Sequence, residues 1–240
     1  NDSTRYVCSI EIDTICIDST RLTDIALTAR QKEKESHIEA TTLDNALQMH
    51  LDIKSRFDRN EIVNLSHIEL RHADLASLHI TEAPLTAAIQ FDIEAYSNML
   101  NRHSAKVTGN GIRLVTAEKT YTPGQLQFTG YTSPDTTYTH LHTGDLTIDG
   151  TLSSGYQQLS AALERIKEMY TEGSTSSNTL YYLQDFERQL PTMTLDIDCG
   201  QENMFANFMR ANKVDFSQLS LRLSVDSTKG INGRGGIYNL

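Results

Sequence analysis

Two histidines in the segment HLH at 140–142 are the first residues whose type and spacing suggest chemistry. Alternate residues of a β-strand lie on the same face, so His140 and His142 could bind one metal ion. A second group contains His67, His72 and His79. Neither group comes with an HExxH motif, a cysteine partner or regularly spaced carboxylates. We therefore expect polar-face histidines and no specific metal site.

Asp196 and Asp198, in the segment LDID, could be read as the two carboxylates of a glycosidase. They alternate with Leu195 and Ile197, as polar residues on the wet face of a strand do. The segments TGNG and NGRGG lack the spacing of phosphate-binding loops, and no GxSxG nucleophile motif occurs. We expect turns at these glycines, no catalytic residues and no cofactor.

Charge and cysteine content argue against several classes of protein. The formal net charge is −10 and the pI is about 5.2, whereas nucleic-acid binding needs basic patches, so we expect no nucleic-acid partner. The three cysteines, Cys8, Cys16 and Cys199, contain no CxxC pair and are too few for a disulfide framework. We expect Cys8 and Cys199 to be small buried apolar residues.

The elements that must position these residues are mostly strands, since apolar and polar residues alternate along much of the chain. In the segment LQMHLDIK at 47–54 one face is apolar and the other is polar. The same pattern recurs between short turn segments, which predicts a β-rich α+β fold with a curved antiparallel sheet. The predicted apolar-face residues are Leu47, Met49, Leu51, Ile53, Leu85, Ile89, Phe91, Leu195, Ile197, Leu221 and Leu223.

Helical periodicity predicts helices over 156–170, 178–190 and 201–212, with a shorter helix over 92–103. In the helix over 201–212, Phe205, Phe208 and Met209 are expected to pack inward. Residues 1–153 are thus mainly strands, and 154–240 are helices interleaved with strands. The sequence opens directly on a strand and shows no signal peptide, so we expect residues 1–240 to be a single fragment of a longer protein.

Several segments resemble the AsmA-like superfamily of bridge-like lipid-transfer proteins, in particular its TamB-type members in Gram-negative envelopes. These segments are IVNLSHIELRHADLASLHI with PLTAAIQFDIE, GDLTIDGTLSSGYQQLSAALERIKEM, and the stretch from LPTMTLDIDCGQENMFANFM to the end of the chain. The resemblance lies in strand rhythm and in a turn that leads into a helix. It departs from the family pattern in its amount of helix.

The resemblance implies a periplasmic segment of an inner-membrane-anchored protein, with a groove that binds phospholipid acyl chains or assists outer-membrane protein assembly. The pattern leaves two arrangements open: the apolar face lines a groove, or the predicted helices lie across it and close a core. Two other functions also remain open. One is an interaction scaffold that binds a barrel-assembly partner through a sheet edge, and the other is a β-sandwich that binds carbohydrate or protein.

Overall fold

A computed structural model describes residues 5–17, 20–158, 160–161, 164, 191–226 and 229–239. These residues form a sheet of fourteen strands and a helix, α1, at Met204–Ala211. The strands are β1 (Arg5–Ile17), β2 (Thr20–Lys32), β3 (Glu35–Leu43), β4 (Leu47–Asp58), β5 (Glu61–Asp74), β6 (Leu85–Ser97), β7 (His103–Thr116), β8 (Thr120–Tyr121), β9 (Leu126–Thr132), β10 (Thr137–Thr143), β11 (Leu146–Leu152), β12 (Met193–Cys199), β13 (Gln218–Asp226) and β14 (Gly230–Tyr238).

The strand order in the sheet follows the order in the sequence. Each strand pairs antiparallel with the next, except that β9 pairs with β7 and the two-residue strand β8 is attached to the side of β7. The sheet does not close on itself, and β1 and β14 are its two edges. The predicted curved antiparallel sheet of a β-rich α+β protein is confirmed.

Alternation along the strands separates an apolar face from a polar one. In β12, Met193, Leu195 and Ile197 are half-buried, while the intervening Thr194, Asp196 and Asp198 are exposed. The register aligns Leu195 with Leu223 and Asp196 with Arg222 on the neighbouring strand β13. Since directly opposed residues share a face, the alternation continues from one strand to the next.

The segment TGNG lies inside β7, so the turn predicted there is wrong. Gly111 has φ +62°, and the pairing register with β6 shifts between Ala88 and Gln90. A glycine with positive φ opposite such a shift is a β-bulge, which inserts a residue and lets the strand continue. The bulge allows Ile112 and Leu114 to reach the core.

The helix predicted over 92–103 is also wrong. Strand β6 continues to Ser97, and β7 begins at His103. The Asn98 side chain accepts hydrogen bonds from the backbone N–H groups of Leu100, Asn101 and Arg102 at 3.1, 3.0 and 2.8 Å. These bonds stabilise a tight turn in place of a helix.

Helix α1 confirms the helix predicted over 201–212 and the inward packing of Met209, but not that of Phe205 and Phe208. Asn203 caps it by accepting a 2.8 Å hydrogen bond from the backbone N–H of Ala206. Ala206, Asn207 and Ala211 are the buried residues, whereas Phe205 and Phe208 are 42% and 38% exposed. Small side chains allow the helix to approach the sheet closely, which explains why the two phenylalanines are turned outward.

The other two predicted helices fall largely outside the described residues. Residues 156–158, 160–161 and 164 have helical backbone, as predicted for the start of the helix over 156–170. The rest of that helix, and all of 178–190, lie outside the part of the chain that the structure describes. Within that part, no helix is both long and apolar enough to cross a bilayer.

Candidate functional site

The apolar face carries a nearly continuous row of apolar side chains across ten strands, from β3 to β13. Each member lies directly opposite the next in the pairing register, and every member is half-buried. We call this set the central row: Ile38, Ile53, Ser66, Ile93, Val107, Phe128, Leu141, Ile148, Ile197 and Leu221. Ser66 is its one polar member. Strands lie about 4.8 Å apart, so nine steps between strands give a row roughly 43 Å long.

One end of the apolar face is closed. A first buried cluster contains Leu85, Ile89, Ile112, Leu114 and Ala211, and Met204 packs against it. A second contains Leu146, Cys199, Ala206 and Phe216, and Met209 packs against it. Helix α1 contributes residues to both clusters, so it lies across the sheet at this end and joins them.

The eleven predicted apolar-face residues fall into two groups. Nine of them are half-buried: Leu47, Met49, Leu51, Ile53, Phe91, Leu195, Ile197, Leu221 and Leu223. The other two, Leu85 and Ile89, are only 1% and 3% exposed in the first cluster. These two residues therefore belong to the closed core, where no ligand can reach them.

Of the two arrangements anticipated from the sequence, the described residues show the closed one at one end of the face. Helix α1 and its neighbouring loops cover the face beside Leu85, Ile89 and Cys199. Along the central row, the described residues leave the side chains partly accessible. Large contiguous apolar patches are rare on protein surfaces and generally mark binding sites. The partly accessible central row is therefore a candidate binding site.

The polar face carries cross-strand pairs of histidine and aspartate. His67 Nδ1 lies 2.8 Å from Asp92 Oδ1, and His140 Nδ1 lies 2.6 Å from Asp149 Oδ1. His142 Nδ1 lies 3.5 Å from the Thr147 hydroxyl. His140 and His142 thus each have their own cross-strand partner on β11.

Among the described residues, one group of three side chains has the geometry to hold a metal ion. One ligand atom from each of His37, Glu39 and Asp52 lies within 4.8 Å of the others. His37 Nε2 lies 3.2 Å from Asp52 Oδ2 and 3.9 Å from Glu39 Oε1. Two cations already neutralise the carboxylates, since Arg30 lies 3.0 Å from Glu39 and Lys54 lies 3.5 Å from Asp52.

The pKa of Asp52 reflects these contacts. Desolvation by burial is the largest influence and raises it, but the hydrogen bonds and charges of His37 and Lys54 together outweigh burial, so the pKa lies below its ordinary value. The carboxylate is thus charged at neutral pH and already paired. Because the Asp52 carboxylate already has a cationic partner in Lys54, it does not need a metal ion to balance its charge. The side chains of His37, Glu39 and Asp52 form a polar network that links β3 to β4.

The three cysteines differ in how deeply they are buried. Cys199 is 1% exposed in the second cluster, and burial raises the pKa of its thiol. Cys8 and Cys16 are exposed on the edge strand β1, so the prediction that Cys8 is buried is wrong. The reason is its position, because a residue in an edge strand has a neighbouring strand on one side only.

The fold and its face define a class: a single open antiparallel sheet, apolar on one face, with a helix closing one end of that face. No protein-family model matches the chain, and searches of curated proteins and of solved structures also find no match. The described strands form one sheet, unlike the two packed sheets of a β-sandwich.

Proposed function

We propose that this protein is a non-catalytic segment of a cell-envelope protein that holds phospholipid acyl chains on its apolar face. The half-exposed central row is the observation that carries the proposal. Each methylene group moved from water onto such a surface contributes about 0.8 kcal/mol, so a single acyl chain gains several kcal/mol by lying there. The resemblance to bridge-like lipid-transfer proteins gives the same expectation for function and for a periplasmic location.

The dimensions of the face support an extended ligand. The row of roughly 43 Å exceeds the hydrocarbon thickness of a bilayer, which is about 30 Å, so it offers room for more than one acyl chain. Ser66 is the one polar side chain in it, and no charged side chain interrupts it. Transport of lipid between the inner and outer membranes, or assistance to outer-membrane protein assembly, would both use such a surface.

The test is lipid extraction and mass spectrometry on the purified protein and on two matched variants. Leu51→Asp places a carboxylate on the apolar face, beside Ile68 in the register. Leu43→Asp makes the same chemical change on the polar face of β3, where Leu43 is 64% exposed and lies opposite Gln48 in the register. We expect co-purified lipid to fall sharply in Leu51→Asp and to stay at the wild-type level in Leu43→Asp.

Two results would contradict lipid binding: a wild-type protein that carries no lipid, or equal lipid content in all three proteins. Thermal denaturation of the same samples shows whether a variant loses lipid simply because it is unfolded. An unpaired charge among acyl chains is costly, whereas a charge on a half-open surface stays partly hydrated. The fold of Leu51→Asp is therefore expected to survive.

The sheet edges favour a second candidate, an interaction scaffold. Within the described residues β1 pairs only with β2, and its Tyr6, Val7 and Ile10 are 67%, 56% and 46% exposed. A partner such as a barrel-assembly protein could add a strand here. Since a lysine on an edge strand discourages such pairing, Ile10→Lys should abolish binding to a purified barrel-assembly protein if the scaffold function is correct.

A further inference from the structure

A pocket of about 720 Å³ lies where the polar face reaches the turns that join β2 to β3 and β4 to β5. It has no part in the lipid-binding proposal, because most of the side chains that line it are on the opposite side of the sheet from the central row. Five of its lining residues are cationic and one is acidic: Arg5, Arg30, Lys32, Lys54, Arg56 and Glu35.

The strand register explains why these charges meet. Arg5 lies opposite Lys32, which lies opposite Glu35, which in turn lies opposite Arg56. One step along the strands on the same face, Arg30, His37 and Lys54 form a second row in the same way. Three strands, β1, β2 and β4, thus contribute cationic side chains to two adjacent rows, although their residues are far apart in the sequence.

The cations of the first row form no close ion pair in the described part of the chain. Arg30 and Lys54, in the second row, pair with Glu39 and Asp52 at 3.0 and 3.5 Å. No carboxylate oxygen of the described residues lies within 4.0 Å of Arg5, Lys32 or Arg56, although Glu35 lies between two of them in the register. Asp58 is the next carboxylate, and the charge of Arg56 is close enough to help lower its pKa. A local excess of positive charge in a protein of net charge −10 calls for an anionic ligand.

The shape and composition of the pocket indicate which kind of anion it can bind. Guanidinium groups present parallel N–H donors that match the oxygens of a phosphate, and lysine adds a point charge. Val63 and Leu65 provide an apolar part of the wall. A volume of about 720 Å³ is far larger than a single inorganic ion and suits a phosphorylated organic group.

The competing interpretation of this region is a metal site at His37, Glu39 and Asp52. Arg30 and Lys54 hold the carboxylates of that group, and further cations surround it. A divalent cation would have to displace both ion pairs and approach unpaired positive charge. An anion, in contrast to a metal ion, is attracted by every cation that surrounds the pocket.

We propose that this pocket is a binding site for a phosphate-bearing molecule, held by Arg5, Lys32 and Arg56 with support from Arg30 and Lys54. The phosphate comes from either of two sources, a small phosphorylated metabolite or the headgroup of an anionic phospholipid. In both cases the chemistry is the same: phosphate oxygens accept charge-assisted hydrogen bonds from guanidinium and ammonium groups.

The experiment measures two ligands against the full chain. Isothermal titration with sodium pyrophosphate reports a free phosphate group, and flotation with phosphatidylglycerol–phosphatidylcholine vesicles, compared with phosphatidylcholine vesicles alone, reports a headgroup. The test variant is Lys32→Glu with Arg56→Glu. The control is Lys106→Glu with Arg113→Glu, two exposed residues of β7 outside the pocket. Each pair changes two residues from +1 to −1, so both move the net charge from −10 to −14.

We expect saturable binding of at least one ligand by the wild type, weakened at least about tenfold in the test variant and less than about twofold in the control. Binding of pyrophosphate alone assigns the site to a small metabolite. Vesicle binding that pyrophosphate displaces assigns it to a headgroup. The proposal is overturned if both variants weaken binding equally, since that indicates a general charge effect, or if the wild type binds neither ligand.

A milder variant keeps the test valid if charge reversal disturbs the fold. Lys32→Gln with Arg56→Gln removes both charges without adding carboxylates, and far-UV circular dichroism checks that the sheet is intact. Because the pocket and the central row use different faces, the lipid content of this variant is expected to equal that of the wild type. A loss of acyl-chain binding in Leu51→Asp, with pyrophosphate binding retained, would separate the two sites.

Discussion

The side chain of Asn203 donates a 2.7 Å hydrogen bond from its amide Nδ2 to Asp145 Oδ1, joining the start of helix α1 to the turn between β10 and β11. Asn203 is fully buried, and its own oxygen caps the helix by accepting from Ala206. Asp145 also accepts hydrogen bonds from the backbone N–H of Glu202 at 2.9 and 3.1 Å. One amide and one carboxylate therefore join the start of the helix to the β10–β11 turn.

Replacing Asn203 with alanine should destabilise the protein by about 2–3 kcal/mol, because the helix loses its cap and the hydrogen bond from the buried Asn203 amide to Asp145 is lost. Chemical denaturation measures the change. Asn232→Ala, on the exposed face of β14, is the control and is expected to change stability by less than about 0.5 kcal/mol. Similar losses in both variants would show that the cap does not anchor the helix.

Two aspartate substitutions should separate the closed core from the open face. Ile89 is 3% exposed, so Ile89→Asp buries an unpaired charge and should cost roughly 3 kcal/mol or more. Leu51 is half-buried, so Leu51→Asp keeps its charge partly hydrated and should cost less than half as much. Thermal denaturation of lipid-free samples provides the comparison, and equal costs would indicate that the face at Leu51 is as closed as that at Ile89.

Replacing Thr143 with valine should stabilise the protein. Thr143 is 2% exposed, and its hydroxyl has no hydrogen-bond partner among the described residues. Valine has nearly the same shape and removes the buried polar atom, so we expect a gain of about 1 kcal/mol in the free energy of unfolding. Thr143→Ser keeps the hydroxyl and removes a methyl group, and it should destabilise. A destabilised valine variant would mean that the hydroxyl is satisfied in solution.

The pH dependence of stability should contain a contribution from Asp44. Hydrogen bonds from the backbone N–H of Ala46 and from the Thr23 hydroxyl hold the pKa of Asp44 below its ordinary value of 3.8. Because the folded-state pKa is lowered, the contribution is fully present well above pH 3.8 and is lost as the pH falls through the folded-state value. The side-chain amide that Asp44→Asn introduces does not titrate in this range.

The melting-temperature difference between wild type and Asp44→Asn should therefore be constant from pH 6 to about pH 5 and shrink as the pH falls below 3.8. Scanning calorimetry in a series of buffers measures it. The control is Asp135→Asn, at an exposed position in the turn between β9 and β10, where the carboxylate forms no ion pair among the described residues. A difference that is independent of pH would show that the hydrogen bonds to Asp44 do not depend on its charge.

Alternation along the chain predicts the two faces of the sheet correctly because the side-chain direction in a strand has a strict period of two. Leu195, Ile197, Leu221 and Leu223 lie on the apolar face as expected. Which apolar positions are closed cannot be derived this way. Leu85 and Leu51 share the pattern, and the difference between them depends on where α1 packs.

Glycine-rich segments predicted turns less reliably than alternation predicted strands, because a glycine with positive φ can occupy either a turn or a β-bulge. Gly111 lies inside β7, and the segment containing Gly230–Gly236, predicted as a turn, is strand β14. The pocket was also missed. Arg5, Lys32 and Arg56 come from three strands, and only the pairing register shows that they meet.

The order of the strands has a consequence for how the chain folds and comes apart. Since nearly every strand pairs with its neighbour in the sequence, most contacts are made within single hairpins, and the chain behaves as a quasi-one-dimensional array. Assembly can then start at any hairpin and spread to both sides, with low loop-closure cost. Under mechanical load applied across the sheet, the strands should peel off one after another from β1 or β14, in many small steps of force.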